Sequence, residues 1–330
     1  MSHKHPSRRR ALTILAASAA GLLVGGARSP VAAADFEWHG LAMGTDASML
    51  FCGADAATAQ AATAMAVREI ERLEMALSLF RSDSEICRMN RDGHLDLPTG
   101  DMRRALALAR ALADATGGLF DPTVQALWEA YVDWFSARNV GLPPRETIAT
   151  AMAAVDWRRI VLAADKITLG RGQRITLNGL GQGYVTDRIA DLLRAQGFEH
   201  VLVDLGEQRA LGPRRDGTPW PIAREGAAPF RLTHGALATS EGAGCVLGAG
   251  GAAHHLFDPH TGRSAGHWRT ITVHHGSAAV ADALSTALYA APAADIPAIL
   301  ERFTGVAVWA LDRDGQERYF GSETVAGVRT

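Results

Sequence analysis

Apolar residues recur every three to four positions over residues 56–78, 101–116 and 279–291, the spacing of a helix with one buried face. The same rule predicts helices over 121–139, 146–155 and 183–196, and a short one over 296–304. Asp121 and Pro122 stand where an N-cap and a first helical residue belong. Gly117-Gly118, Gly197 and Pro292 supply stops. Period-two or continuous apolar runs predict strands within 36–52 and over 200–204, 209–212, 270–274, 306–311 and 317–320. Residues 159–163 and 166–169 read as a hairpin, and 220–257 as mostly strands and turns. Helices crowd the first half and strands the second. That order points to an α+β chain rather than a βαβ series. No fixed-period repeat or polar linker divides it.

The first 34 residues stand apart. They hold five basic residues, Lys4, Arg8, Arg9, Arg10 and Arg28, and no acid. A mostly apolar run over 11–27 follows, and Ala32-Ala33-Ala34 ends the segment. This is the layout of an export signal. Ser7-Arg8-Arg9-Arg10-Ala11-Leu12 is similar to a twin-arginine signal, with Ala where that pattern prefers Phe. The apolar run falls short of the ~20 residues a membrane helix needs. The expected domains are therefore a twin-arginine-type signal over 1–34 and one domain over 35–330, exported to the periplasm.

Losing the five positive charges takes the net charge from −2 to −7. An acidic chain repels nucleic acid and anionic lipid, so neither is an expected partner. Membrane contact is expected only through a partner or an uncleaved signal. Hydrophobic residues at 48% and charged residues at 21% are ordinary for a globular protein. Three cysteines, Cys52, Cys87 and Cys245, leave at least one free thiol and show no zinc spacing. Cys87 reads as a small buried hydrophobe.

Four segments carry candidate chemistry. Residues 175–184 run from a strand through glycines at 179, 181 and 183 into a helix, a turn that can present N–H groups to phosphate. The glycine spacing is not that of a dinucleotide-binding Rossmann turn, and a plain connection fits as well. Asp282, Ser285 and Thr286 fall on one helix face, three hard oxygens suited to Mg²⁺, or simply a capped helix start. His255 is a candidate general base or a hydrogen-bonded strand histidine. Gly118-Leu119-Phe120-Asp121-Pro122-Thr123 is a turn into a helix.

Taken in order, the motifs say more. Met43-Gly44-Thr45, Leu79-Phe80-Arg81 and Leu119-Phe120-Asp121-Pro122 come first. Thr176-Leu177-Asn178-Gly179-Leu180-Gly181-Gln182-Gly183-Tyr184, Val203-Asp204-Leu205-Gly206 and Thr239-Ser240 follow. His255-Leu256-Phe257-Asp258-Pro259 and Asp282-Ala283-Leu284-Ser285-Thr286 close the series. This series resembles the ApbE family of FAD:protein FMN transferases over roughly residues 38–312. The signal is also similar to that of the exported NosX-like subset, accessory proteins of nitrous oxide reduction. The resemblance implies a single ApbE-like (T-fold-like) α+β domain. It implies Mg²⁺-dependent transfer of FMN from FAD to a Thr or Ser hydroxyl of an exported or membrane-bound electron-transfer flavoprotein, with AMP released. Asp282, Thr286 and Ser285, with a carbonyl at Gly179, are then the metal site, and His255 the base acting with Asp282. Met43, Phe80, Leu119, Phe120, Asp121, Thr176, Gln182 and Phe257 then hold FAD.

Three departures stand out. Thr176 replaces a family Asp, Gln182 a family Lys, and Phe80 a family Tyr. They motivate two other readings. One is an FAD diphosphatase that uses water as the acceptor. The other is a non-enzymatic flavin carrier.

Overall fold

The computed structural model describes residues 35–224, 227–248, 251–321 and 327–329. The segment read as an export signal lies outside them. Eight strands build the main sheet: β1 (Phe36–Ala42), β2 (Thr45–Phe51), β3 (Val201–Asp204), β4 (Gln208–Ala210), β5 (Gly235–Glu241), β6 (Trp268–His275), β7 (Ala307–Asp312) and β8 (Glu317–Gly321). Their order in the sheet is their order in the chain, and each neighbouring pair is antiparallel. The helices are insertions into this meander. α1 (Ala56–Leu77), α2 (Glu85–Asp92), α3 (Gly100–Ala115), α4 (Gln125–Ser136), α5 (Arg145–Met152) and α6 (Gly181–Ala195) separate β2 from β3. α7 (Ala278–Tyr289) and α8 (Ile296–Leu300) separate β6 from β7.

Side-chain alternation gives the sheet two buried faces. Val203 and Val308 point to the helices, while Leu202, Leu237 and Trp309 point the other way. There a small sheet of Trp220–Ile222, Phe230–Leu232 and Val328–Arg329 covers them. α6 and α7 pack on the helical face and on each other. α7 is apolar nearly all round, as a helix enclosed between a sheet and other helices must be. Asp187 of α6 fixes its start. The Asp187 carboxylate accepts Ser277 Oγ at 2.5 Å and the N–H groups of Ala278 at 2.8 Å and Ala279 at 3.1 Å. A negative charge at a helix N-terminus also complements the helix dipole. Arg209 pairs with the same carboxylate.

The α+β class and the long helices agree with the expectation, and several details do not. Residues 36–52 form a hairpin whose turn puts Met43 and Gly44 at φ 50° and 87°. Two positive φ values in succession suit a tight hairpin turn. α4 begins at Gln125, not at Asp121. The Asp121 carboxylate instead accepts the backbone N–H and hydroxyl of Thr123, at 2.8 and 2.6 Å, in a local turn. α5 ends at Met152 rather than 155, and α6 starts at Gly181 rather than 183. α2 and the strand His94–Asp96 are additions. Cys87 is half-buried, not enclosed, and its thiol lies near the carbonyls of Ser78 and Leu79 at 3.9 and 3.6 Å. All three cysteines are free thiols. Among the described residues no helix is long and apolar enough to cross a membrane.

Candidate functional site

Where α6 and α7 meet the edge of β5, the chain leaves a cavity of about 930 Å³. Its wall brings together Phe80, Leu119, Phe120, Asp121, Thr176 and Gln182 with Gly179, His255, Phe257, Asp282 and Thr286. These come from five separate stretches of the chain. Two expected residues are not on the wall. Met43 packs its side chain into the core, while its backbone N–H donates to Glu74 Oε1 at 2.8 Å. Ser285 is buried on α7, where its Oγ lies 2.8 Å from Ser240 Oγ and donates to the Asp282 carbonyl at 2.9 Å.

One end of the cavity is rich in oxygen. Asp282 and Thr286 are one helical turn apart on α7, so they share a face. Thr286 lies against the 176–181 turn so closely that a Cβ on Gly179 would come within 2.8 Å of its Oγ1. Glycine at 179 is what lets that hydroxyl and the turn's backbone meet. Thr176 Oγ1 accepts the N–H of Asn178 at 3.1 Å and helps shape the turn. Asp282 is 4% exposed, and its Oδ2 accepts the N–H of Gly183 at 3.1 Å. Burial pushes its carboxyl up to about 7; the Gly183 N–H opposes the shift and the Asp187 charge adds to it.

A second buried acid, Glu207, faces the same space from the turn between β3 and β4. Burial, then the nearby Asp282 and Asp204 carboxylates, hold its carboxyl well above the usual range. No motif in the sequence singled it out. The only signal was its place directly after Val203-Asp204-Leu205-Gly206. Neither Asp282 nor Glu207 has a cationic side chain as partner among the described residues. Two uncompensated buried carboxylates beside the Thr286 hydroxyl and the Gly179 turn fit a hard divalent cation such as Mg²⁺. No group of three or more His, Cys, Asp or Glu side chains is placed to hold a metal among the described residues.

The other walls are apolar or polar by turns. Phe80 is 74% exposed and lies over Gly44, where a Cβ would sit 3.1 Å from the ring. Gln182 donates from Nε2 to Thr45 Oγ1 at 3.1 Å. Phe257 is held from behind by Tyr131, ring to ring at 4.8 Å. Asp121 is buried, and burial raises its carboxyl; the Thr123 hydrogen bonds oppose that. His255 follows the short strand Ala253–His254 and is tied to one carbonyl. Its backbone N–H donates to Cys245 O at 3.1 Å, and its ring Nδ1 lies 3.2 Å from the same oxygen. A carbonyl only accepts, so Nδ1 carries the proton and Nε2 keeps a lone pair. Burial lowers the His255 pKa, against the Cys245 contact, so the ring stays neutral below the ordinary histidine range.

The ApbE family model matches residues 43–310. The FAD:protein FMN transferase of Haemophilus influenzae is 28% identical over 233 residues, covering 64% of this chain and 67% of that protein. The solved ApbE protein of Thermotoga maritima superposes with a TM-score of 0.76 at 22% identity, covering 86% of this chain and 96% of that one. The apo flavinyl transferase ApbE of Pseudomonas stutzeri superposes with a TM-score of 0.74 at 25% identity, covering 88% and 95%.

Proposed function

Because the chain belongs to the ApbE family, we propose that it transfers FMN from FAD to a Thr or Ser hydroxyl of another protein. The observation that carries this reading is one cavity holding two kinds of chemistry. An oxygen-lined end fits a cation that can bind pyrophosphate, and a neutral histidine stands on the wall with its Nε2 unprotonated. The names of the relatives supply the substrate pair, a flavin dinucleotide and a protein.

Asp282, Thr286 and the Gly179 carbonyl would hold Mg²⁺, with Ser285 bracing α7 behind them. When bound, Mg²⁺ neutralises charge on the pyrophosphate and on the departing AMP. The chain's own residues do the rest. Phe80, Leu119, Phe120 and Phe257 offer an apolar surface for the flavin and adenine rings. Asp121, Thr176 and Gln182 offer polar atoms for the nucleotide, and Met43 supports the turn beneath. His255 takes the proton of the acceptor hydroxyl at Nε2. The hydroxyl oxygen bonds to the FMN phosphorus, the pyrophosphate P–O bond breaks, and AMP departs with the electron pair. A phosphoryl transfer of this kind needs position and charge neutralisation more than covalent help.

Gln182 in place of Lys costs one positive charge near the phosphates, and Thr176 in place of Asp costs one acceptor. Both side chains still hydrogen-bond. The reading therefore keeps the enzyme active with weaker hold on FAD. The export pattern of residues 1–34 puts the reaction in the periplasm. There the acceptor would be an electron-transfer flavoprotein, exported or anchored in the membrane, such as one serving nitrous oxide reduction.

The test is intact-mass analysis of a candidate acceptor domain after incubation with enzyme, FAD and Mg²⁺. An FMN adduct that disappears when the acceptor Thr is changed to Val supports the reading. Free FMN and AMP with unmodified acceptor would replace it with FAD hydrolysis.

A further inference from the structure

The reading above leaves Glu207 without a task, although it is only 6% exposed and on the cavity wall. Its backbone position is specific. Gly206, at φ +104°, turns the chain between β3 and β4, and the Gln182 amide packs where its Cβ would be, 2.4 Å from Nε2. This contact ties the Glu207 turn to the start of α6, the helix that also meets Asp282 through Gly183.

The surroundings of the Glu207 carboxylate are unusual. The backbone N–H of Thr239 on β5 favours its charged form, against the burial that opposes it. The charged groups beside it are carboxylates, Asp282 and Asp204. Asp204 is already satisfied by Gly206 N–H at 3.2 Å and Gln208 Nε2 at 3.1 Å. The nearby Arg209 is committed to Asp187 and Asp191 of α6. Glu207 and Asp282 thus line one cavity, both buried, with no cationic side chain paired to either among the described residues. Neighbouring buried anions repel strongly unless a cation lies between them. The sequence could remove the problem with Gln at 207, yet it keeps a carboxylate.

We infer that Glu207 is an additional ligand of the divalent cation, binding it together with Asp282 and Thr286. This rests on the cation site proposed above and adds a second carboxylate to it. The second negative charge tightens the hold on the ion. It also offsets the charge missing at Thr176, so the cation stays seated when AMP leaves with its own phosphate and the FMN phosphate passes to the acceptor.

The probe is Mn²⁺, titrated into EDTA-stripped full-length protein, with free Mn²⁺ read by electron paramagnetic resonance, with and without ADP. The comparison is wild type, Glu207→Gln, Glu207→Asp and Asp282→Asn. The expected result is one Mn²⁺ per wild-type chain, with affinity lowered at least about 10-fold in Glu207→Gln and less in Glu207→Asp. Thermal midpoints separate this from a structural role. Without metal, Glu207→Gln should melt at or above the wild-type temperature, because a buried repulsion is gone. With Mn²⁺ it should gain less than the wild type does. If Glu207→Gln fails to fold, Glu207→Asp carries the test through its Mn²⁺ affinity alone. Unchanged Mn²⁺ affinity in both Glu207 variants, with binding lost in Asp282→Asn, would overturn the role of Glu207 and leave the cation site standing. No Mn²⁺ bound by the wild type, even with ADP, would overturn the cation site itself and this inference with it.

Discussion

The backbone N–H of Gly183 donates to Asp282 Oδ2 across 3.1 Å, joining the first turn of α6 to the face of α7. Glycine makes this approach possible. A Cβ at 183 would lie 2.3 Å from the Ala278 carbonyl oxygen and 2.8 Å from Ala279 Cα. Both obstacles are backbone, so neither can rotate away. Gly183→Ala should force the helices apart, with a loss of about 1–3 kcal/mol in denaturant unfolding. It should also lower FMN transfer beyond what that instability explains, because Asp282 loses its anchor. Full transfer at wild-type stability would contradict this packing.

Asp282→Asn keeps the shape and still accepts the Gly183 N–H, but it removes the charge. The metal-free variant should be as stable as the wild type or more so, because an uncompensated buried carboxylate is costly. FMN transfer should fall by about 10²–10³-fold, the scale seen when one stabilising group is lost from a reacting centre. Initial rates at saturating FAD, beside thermal melts without metal, measure both effects.

His255 is buried enough to hold its pKa below the usual 6.5. It is therefore neutral, and able to accept a proton, at lower pH than an exposed histidine. The acid limb of kcat/KM at saturating Mg²⁺ should lie below pH 6.5. His255→Gln should flatten that limb and slow transfer by about 10²–10⁴-fold, the usual worth of a general base. FAD affinity, read by flavin fluorescence, should change only a few-fold.

Outside the cavity wall, Asp101 of α3 sets an acid limit on stability. Burial opposes its charge, but hydrogen bonds from Arg72, Arg104 and Tyr184 outweigh that and hold its carboxyl at about 2. In the unfolded chain the value returns to about 3.8. The unfolded state therefore takes up a proton first as pH falls. The stabilisation is complete above pH 3.8 and is lost as pH drops towards 2. Asp101→Asn should be clearly less stable than the wild type at pH 7, with the gap closing near pH 2, in urea titrations at both values.

The long elements were legible because their burial is periodic. In α1, Ala59, Ala62, Ala66, Ile70 and Leu73 recur at helical spacing and all are buried. α2 was not, because only Glu85, Ile86 and Met89 of its eight residues are buried. Asp121 and Pro122 carry a helix-start signature, but Asp121 spends its carboxylate on Thr123 in a turn. Sheet order was beyond local pattern: β2 and β3 are neighbours with six helices between them in the chain. The site followed the same division. Asp282 and Thr286 lie one turn apart and can be read from spacing. Glu207 shares their cavity only because the turn between β3 and β4 folds against it, and apart from its place after Val203-Asp204-Leu205-Gly206 nothing in the sequence announces that.

The most direct measurement combines the purified protein with FAD, Mg²⁺ and an acceptor domain carrying a reactive Thr. Acceptor mass and AMP release are read in the same samples, with and without EDTA. The account predicts an FMN adduct and AMP in equal amounts, both abolished by EDTA and restored by added Mg²⁺. Bound FAD with neither adduct nor AMP, across several acceptor domains, would contradict it and leave a flavin-binding protein in place of a transferase.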